Sequence, residues 1–408
     1  MSEHVRAAVV GGGIVGCSVL DALARRGWTD IMLLERRELT SGSTWHAAGN
    51  TTFFSHYASI TSLYVDSVAA YLRAEEETGQ SVDFHAAGSL RLATNARELA
   101  FYRSLEPLFE EMGVPYAVIG PEAMQEAHPL LNVDGLLGAA HTPSDGHVDS
   151  SGATRALAQA ARQRGAVVRR QSPVETITRD GNRWRLITQG GEVTADNVVL
   201  ACSYWARELA RPLGLNLPIY PLQHHELITD NVPELETLGF EVPTVRDPWA
   251  PSNTRQEGYG FLCGVYESDP RFWATDGIPP DFGEELLPPD TERLEPHLLK
   301  VIERMPAFGR AGIKTVNNGP ICYAPDGCPL LGPVASHPGL WLATAFPVGI
   351  GTGGGSGAFL ADWVVDGRAP YDLPIVHPSR FPNDLTRETC LARIAETYRR
   401  GYTMPETA

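Results

Sequence analysis

Apolar runs of strand length alternate with helical spacing over the first fifty residues and again over 148–214, a pattern that predicts an α/β fold with a parallel sheet. Ala7-Ala8-Val9-Val10 is the first run. The turn Gly11-Gly12-Gly13-Ile14-Val15-Gly16 follows, then Val19, Leu20 and Leu23 recur at helical spacing over 17–26. Gly27 stops that helix, and Ile31-Met32-Leu33-Leu34 is a second strand ending at Glu35. Helical patterns follow over 58–77, 96–112 and 121–131, with a strand over 88–93. The alternation then returns as a helix over 151–164 and a strand over 166–170. Two antiparallel strands, 174–179 and 184–188, turn at Asp180-Gly181-Asn182. A buried strand over 198–202 and a helix over 205–213 complete this part. From 216 to about 318 the chain is rich in proline and aromatics, with strands over 226–229 and 260–266 and a helix over 291–304. A strand over 340–345, a glycine cluster and a helix over 358–365 ended by Gly367 come last. The segment 368–408 reads as a peripheral tail.

The first turn has the form G-x-G-x-x-G between a strand and a helix. Gly11 permits the tight turn, Gly13 lets the backbone approach a pyrophosphate, and Gly16 lets helix and strand pack closely. The helix start offers N–H groups to phosphates. Glu35, nineteen residues after Gly16, stands where an acid accepts hydrogen bonds from ribose hydroxyls, which matches FAD or NAD in preference to NADP. Directly beyond lies Thr40-Ser41-Gly42-Ser43-Thr44-Trp45-His46-Ala47-Ala48-Gly49. The unit before it should bring His46 up to the cofactor, where by chemistry alone a loop histidine hydrogen-bonds a phosphate or a carbonyl; a covalent bond to a flavin is the other reading. Near the other end, the cluster Gly349-Ile350-Gly351-Thr352-Gly353-Gly354-Gly355-Ser356-Gly357 precedes the last helix. Its N-terminus is expected to face the flavin and stabilise negative charge there.

The chain has 408 residues with 33 basic and 49 acidic side chains, a net charge of −16. An acidic surface disfavours nucleic acid. No run of about 18 apolar residues suggests a membrane span, and Met1-Ser2-Glu3-His4-Val5-Arg6 lacks the apolar core of a signal peptide. The six cysteines form no C-x-x-C pair, which fits reduced thiols in a cytoplasmic protein. The twelve histidines show no H-E-x-x-H or similar spacing, so no metal is expected.

These residues resemble the flavin-dependent amine oxidoreductases of the D-amino-acid oxidase superfamily, with the dimethylglycine and sarcosine dehydrogenases and oxidases the nearest group. The most specific match is Leu39 through Gly49, where that group's histidine bonds the flavin ring. Further matches are Asp145-Gly146-His147-Val148-Asp149, Tyr204-Trp205-Ala206-Arg207-Glu208-Leu209, Pro221-Leu222-Gln223-His224-His225-Glu226 and Pro329-Leu330-Leu331-Gly332-Pro333. The resemblance implies a Rossmann-like FAD-binding domain assembled from 1–85, 146–214 and 319–367. An antiparallel-sheet substrate domain is implied over 86–145 and 215–318. FAD-contacting residues are then Gly11, Gly13, Ile14, Val15, Gly16, Glu35, Arg36, Ser43, Thr44, His46, Gly349, Gly351, Gly353 and Gly354. His224 is expected on the substrate side of the flavin, where a neutral imidazole can take a proton from a substrate ammonium; His225 beside it is the second candidate.

The chain departs from the group in its pocket. Ser252-Asn253-Thr254-Arg255-Gln256-Glu257 lacks the tyrosine that relatives carry, and Glu226 stands where an aromatic is usual. Tyr259 lies near that gap, and Arg255 is a candidate partner for a substrate carboxylate. The resemblance implies that full-length relatives continue into a folate-binding half; the expectation here is a flavin half alone, with formaldehyde release or a separate folate-binding subunit. The expected activity is oxidation of a secondary or tertiary amine to an iminium with N-demethylation, oxygen or an electron-transfer protein taking the electrons. An imino-acid or 2-hydroxy-acid oxidase is the alternative, as is the flavin-carrying subunit of a hetero-oligomer.

Overall fold

The computed structural model describes residues 3–55, 57–382 and 384–404. Met1, Ser2 and 405–408, part of the expected terminal segments, lie outside them. Two eight-stranded sheets organise the described residues. In the first, Glu3–Val10 is central because its residues from Ala7 to Val10 are all buried, as an apolar run covered on both faces requires. It pairs in parallel with Ile31–Leu34 on one side and Gly191–Leu200 on the other. Val167–Arg169 and Leu340–Thr344 extend the parallel array, and Leu330–Pro333 closes an edge antiparallel. The hairpin Val174–Asp180 and Arg183–Thr188 joins through Gly191–Leu200. Sequentially distant pieces therefore build one sheet.

The second sheet runs in the order Ile313–Tyr323, Tyr220–Thr229, Gly260–Val265, Ser252–Glu257, Thr244–Asp247, Ser89–Ala93, Gly138–Thr142, Ala117–Ile119. All its pairings are antiparallel except Thr244–Asp247 with Ser89–Ala93. The strand Ile313–Tyr323 continues past residue 318, where the sequence pattern placed a boundary.

Three expectations are corrected. The helix expected over 96–112 is two, Ala96–Ser104 and Glu106–Glu111. The last glycine cluster does not precede its helix but lies inside it, since the helix runs Gly349–Asp366. Glycine is a poor helix former, but here it admits close neighbours: a Cβ on Gly354 would sit 2.7 Å from Ser67 Cα of helix Thr61–Thr78, and one on Gly357 2.5 Å from Ser18 C of helix Ile14–Arg25. Finally, the tail is not peripheral. Helix Arg387–Arg400 buries Cys390, Ile394 and Tyr398, spaced at i, i+4 and i+8, against Tyr220, Leu222 and Tyr323.

Candidate functional site

A cavity of about 1050 Å³ is lined by both sheets and by the end of the C-terminal helix. Its nucleotide-binding end grows from the first strand. At Gly11, φ is +114° and a Cβ would lie 2.5 Å from Ala201 O, so only glycine turns the chain there. A Cβ on Gly16 would come within 1.9 Å of Gly11 O. Gly16 thus serves the packing of helix on turn and does not line the cavity, whereas Gly11, Gly13, Ile14, Val15, Glu35, Arg36, Ser43 and Thr44 do. Thr44 Oγ1 accepts from Ile14 N at 3.2 Å, and Glu35 accepts from Gly12 N at 2.6 Å and Arg37 N at 2.8 Å. Burial raises the Glu35 carboxyl pKa, against these backbone donors. The bare turn, the helix start behind it and an acid at the next strand's end fit a dinucleotide such as FAD.

Gly349 and Gly351 line the cavity, but Gly353 and Gly354 do not. Lying a turn into the helix, they face Ile14 and helix Thr61–Thr78 instead. Their expected contact with cofactor is thereby corrected.

His46 lines the cavity next to Gly319, where a Cβ would fall 2.2 Å from its Cε1. A side chain at 319 would displace the imidazole. Burial lowers its pKa to about 4, so the ring is neutral. The loop is braced from behind by Arg255, whose Nε donates to Ala48 O at 2.9 Å.

The opposite wall comes from strand Tyr220–Thr229. Alternation puts His224 and Glu226 toward the cavity and His225 behind it. His224 Nδ1 lies 2.9 Å from Tyr398 Oη, and the Tyr398 hydroxyl donates to Glu267. The tyrosine oxygen therefore accepts from Nδ1–H, which leaves His224 Nε2 as the proton-accepting nitrogen. Burial lowers the His224 pKa to about 4. Glu226 is raised by burial to about 7, against the nearby Arg255 charge. Burial would raise Glu267 too, but His225, His224 and Tyr398 together hold it down at about 2.

Three expected catalytic residues are corrected. His225 is fully buried, with Nδ1 2.6 Å from Glu267 Oε1 and Nε2 accepting from Asp290 N at 3.1 Å; both nitrogens are used. Arg255 is turned to Ala48, Gln256 and Glu257 and does not line the cavity. Tyr259 sits outside, 53 % exposed, at the turn between Ser252–Glu257 and Gly260–Val265.

Four cavity residues were not singled out from sequence: Arg91, Arg246, Arg400 and Tyr402. Arg91 and Arg246 are buried, and the Arg246 charge acts on the buried Asp145 carboxylate, opposing the rise that burial gives its pKa. The signal for Arg91 was a lone arginine inside an apolar strand; for Tyr398 and Arg400 it was the helical spacing of the tail, and Arg246, within Thr244-Val245-Arg246-Asp247, carried none.

Comparison with known proteins places this geometry. The family described as FAD dependent oxidoreductase matches residues 6–363. Mitochondrial dimethylglycine dehydrogenase of Mus musculus is 39 % identical over 402 residues, 97 % of this chain and 46 % of that protein. The formaldehyde-forming 4-methylaminobutanoate oxidase of Paenarthrobacter nicotinovorans is 32 % identical over 99 % of this chain and 49 % of its own length. The chain thus spans about half the length of these relatives. In fold, L-proline dehydrogenase from P. horikoshii aligns with a TM-score of 0.81 at 24 % identity, over 93 % of this chain and 98 % of that one.

Proposed function

The chain belongs to the FAD-dependent oxidoreductase family, and from that premise we propose that it oxidises an N-methyl amino acid to an iminium, which water hydrolyses to formaldehyde and the demethylated amine. The observation that carries this reading is a single cavity in which a neutral His224 and the buried Arg246 guanidinium face the space beside the nucleotide cradle. Bound FAD supplies the two-electron acceptor for the substrate C–H bond. The Gly11–Val15 turn, Thr44 and Glu35 would hold its nucleotide half, and His46 is the residue we assign to covalent attachment, its imidazole neutral and seated on Gly319.

The protein's own groups prepare the substrate. Arg246, with Arg91 and Arg400 in the same cavity, anchors a carboxylate; a buried charge-assisted pair of this kind is among the stronger hydrogen bonds. His224 Nε2 takes the ammonium proton and frees the nitrogen lone pair, without which the C–H bond does not break heterolytically. The names of the relatives, a dimethylglycine dehydrogenase and a formaldehyde-forming 4-methylaminobutanoate oxidase, support this substrate class. We keep a cytoplasmic location within this reading on the support of six unpaired cysteines; no helix among the described residues is long and apolar enough to cross a membrane.

The test is turnover of N-methyl amino acids with formaldehyde counted against flavin reduction, run with oxygen and with an artificial acceptor to separate oxidase from dehydrogenase. His224→Ala should lower kcat by about 10²-fold or more, the usual worth of a positioned base. Arg246→Leu should mainly raise KM, and should do so for the amino acid but not for its decarboxylated amine. Unchanged turnover in His224→Ala removes the mechanism. Acid precipitation followed by peptide mapping should leave yellow colour on the His46 peptide, and His46→Ala should release it.

A further inference from the structure

Outside the cavity, the chain brings together three side chains that local spacing could not reveal. His85 and His147 face one another across an isolated antiparallel bridge, hydrogen-bonded both ways at 2.9 and 3.1 Å, and their rings stack 4.6 Å apart at 13°. Glu241, from the loop ahead of strand Thr244–Asp247, inserts its carboxylate against both: Oε2 lies 2.7 Å from His85 Nδ1 and Oε1 2.6 Å from His147 Nε2. One donor atom from each residue falls within 4.8 Å of the other two. None of the three lines the catalytic cavity.

We propose that His85, His147 and Glu241 bind one zinc ion, with water completing the shell. Two imidazoles and one carboxylate are the donor set zinc accepts in sites that keep a water, whereas calcium and magnesium favour oxygen donors alone. Metal–ligand bonds of about 2.0–2.2 Å require the donors to stand somewhat further apart than hydrogen-bonded atoms do. Glu241 can retreat by that amount because it sits on a loop. The Asp83 carboxylate, 3.4 Å from the far nitrogen of His85, supplies the outer partner that orients a ligating histidine and raises its basicity. The site is open on one side: the His85 side chain is 41 % exposed and that of His147 only 11 %. The ion therefore has an entry path and a fixed wall.

What zinc would fasten follows from the chain path. His147 ends the short strand paired with Asn50–Thr51, next to cavity residues Asn50 and Thr52, and Glu241 leads into the second sheet. The ion would tie these segments together. The experiment is titration of the purified, FAD-loaded chain with Zn²⁺ by calorimetry, with metal counted by mass spectrometry after gel filtration. One zinc per chain with micromolar or tighter affinity is expected, together with a rise of a few degrees in melting temperature and an X-ray absorption spectrum of mixed nitrogen and oxygen ligands. Glu241→Gln and His85→Ala, both at the exposed side, should each weaken binding at least 10-fold while FAD content stays at the wild-type level. Asp83→Asn should weaken it less. Zinc retained at one per chain in both ligand variants, loss of zinc in His46→Ala instead, or no binding at 100 µM Zn²⁺ (a concentration about 100-fold above a micromolar Kd) would overturn the assignment in favour of a purely hydrogen-bonded clasp.

Discussion

Neighbouring residues of one strand meet opposite fates. His224 and Glu226 face the cavity, while His225 between them is closed off by Glu267, Asp290 and Arg293. The titration of the facing pair leads to a pH prediction. Burial moves His224 from the ordinary histidine range down to about 4, so the base is unprotonated at every pH well above that value. The acid limb of kcat should then lie near or below pH 5 rather than near 6.5. Glu226, raised by burial to about 7, is neutral below that pH and negative above it. Its charge repels a substrate carboxylate, so KM should rise as pH rises through about 7. Glu226→Gln should abolish that rise and leave the acid limb of kcat in place. A rise that persists in the variant would assign it to another group.

At the scale of elements, helix Gly349–Asp366 sets propensity against packing. Alanine is the better helix former by about 1 kcal/mol, and on that ground Gly354→Ala would stabilise. The added Cβ would meet Ser67 Cα at 2.7 Å and Ser67 O at 2.9 Å. These are backbone atoms of a buried helix and cannot step aside as a flexible side chain could. Overpacking of this kind costs about 1–3 kcal/mol, so the variant should be net destabilised, read as a lower urea midpoint at unchanged m-value. Here also lies the reason the helix start was misplaced: glycines in a row read as a loop until the neighbours that require them are known. The break at Leu105, by contrast, does carry a local signal: Pro107 lies in the first turn of the second helix, where its missing N–H costs nothing, whereas in an uninterrupted helix it would remove a hydrogen bond.

On the scale of the molecule, the C-terminal helix completes a site begun by the first strand. Tyr398 stands between His224 and Glu267, and Arg400 and Tyr402 continue into the cavity wall. Tyr398→Phe should therefore retain FAD but lose the group that keeps the His224 proton on Nδ1. A fall in kcat of about 10-fold at little-changed KM is the expected result, within the range for a hydrogen bond to a catalytic group. A change in KM alone would mark Tyr398 as a wall residue only.

The nucleotide cradle was legible because it is local: strand, turn, helix and acid follow one another within Ala7–Glu35, and the backbone demands at Gly11 and Gly16 are met by residue type itself. Family resemblance singled out His46 and His224 in the same local way. Four other features depend on residues brought together from far apart. Arg246 and Arg91 meet the cavity only because Thr244–Asp247 and Ser89–Ala93 pair in parallel. The inward face of His224 and the sealed face of His225 depend on strand register, which sequence alternation leaves free to point either way. The reach of Tyr398 from the tail, and the meeting of His85, His147 and Glu241, depend on loop closures of more than fifty residues. Sequence determines what each short segment can do, since turn geometry and apolar periodicity act over a few residues. Only the packed tertiary structure decides which side chains share a cavity, because burial, desolvation and hydrogen-bond partners are properties of the assembled core.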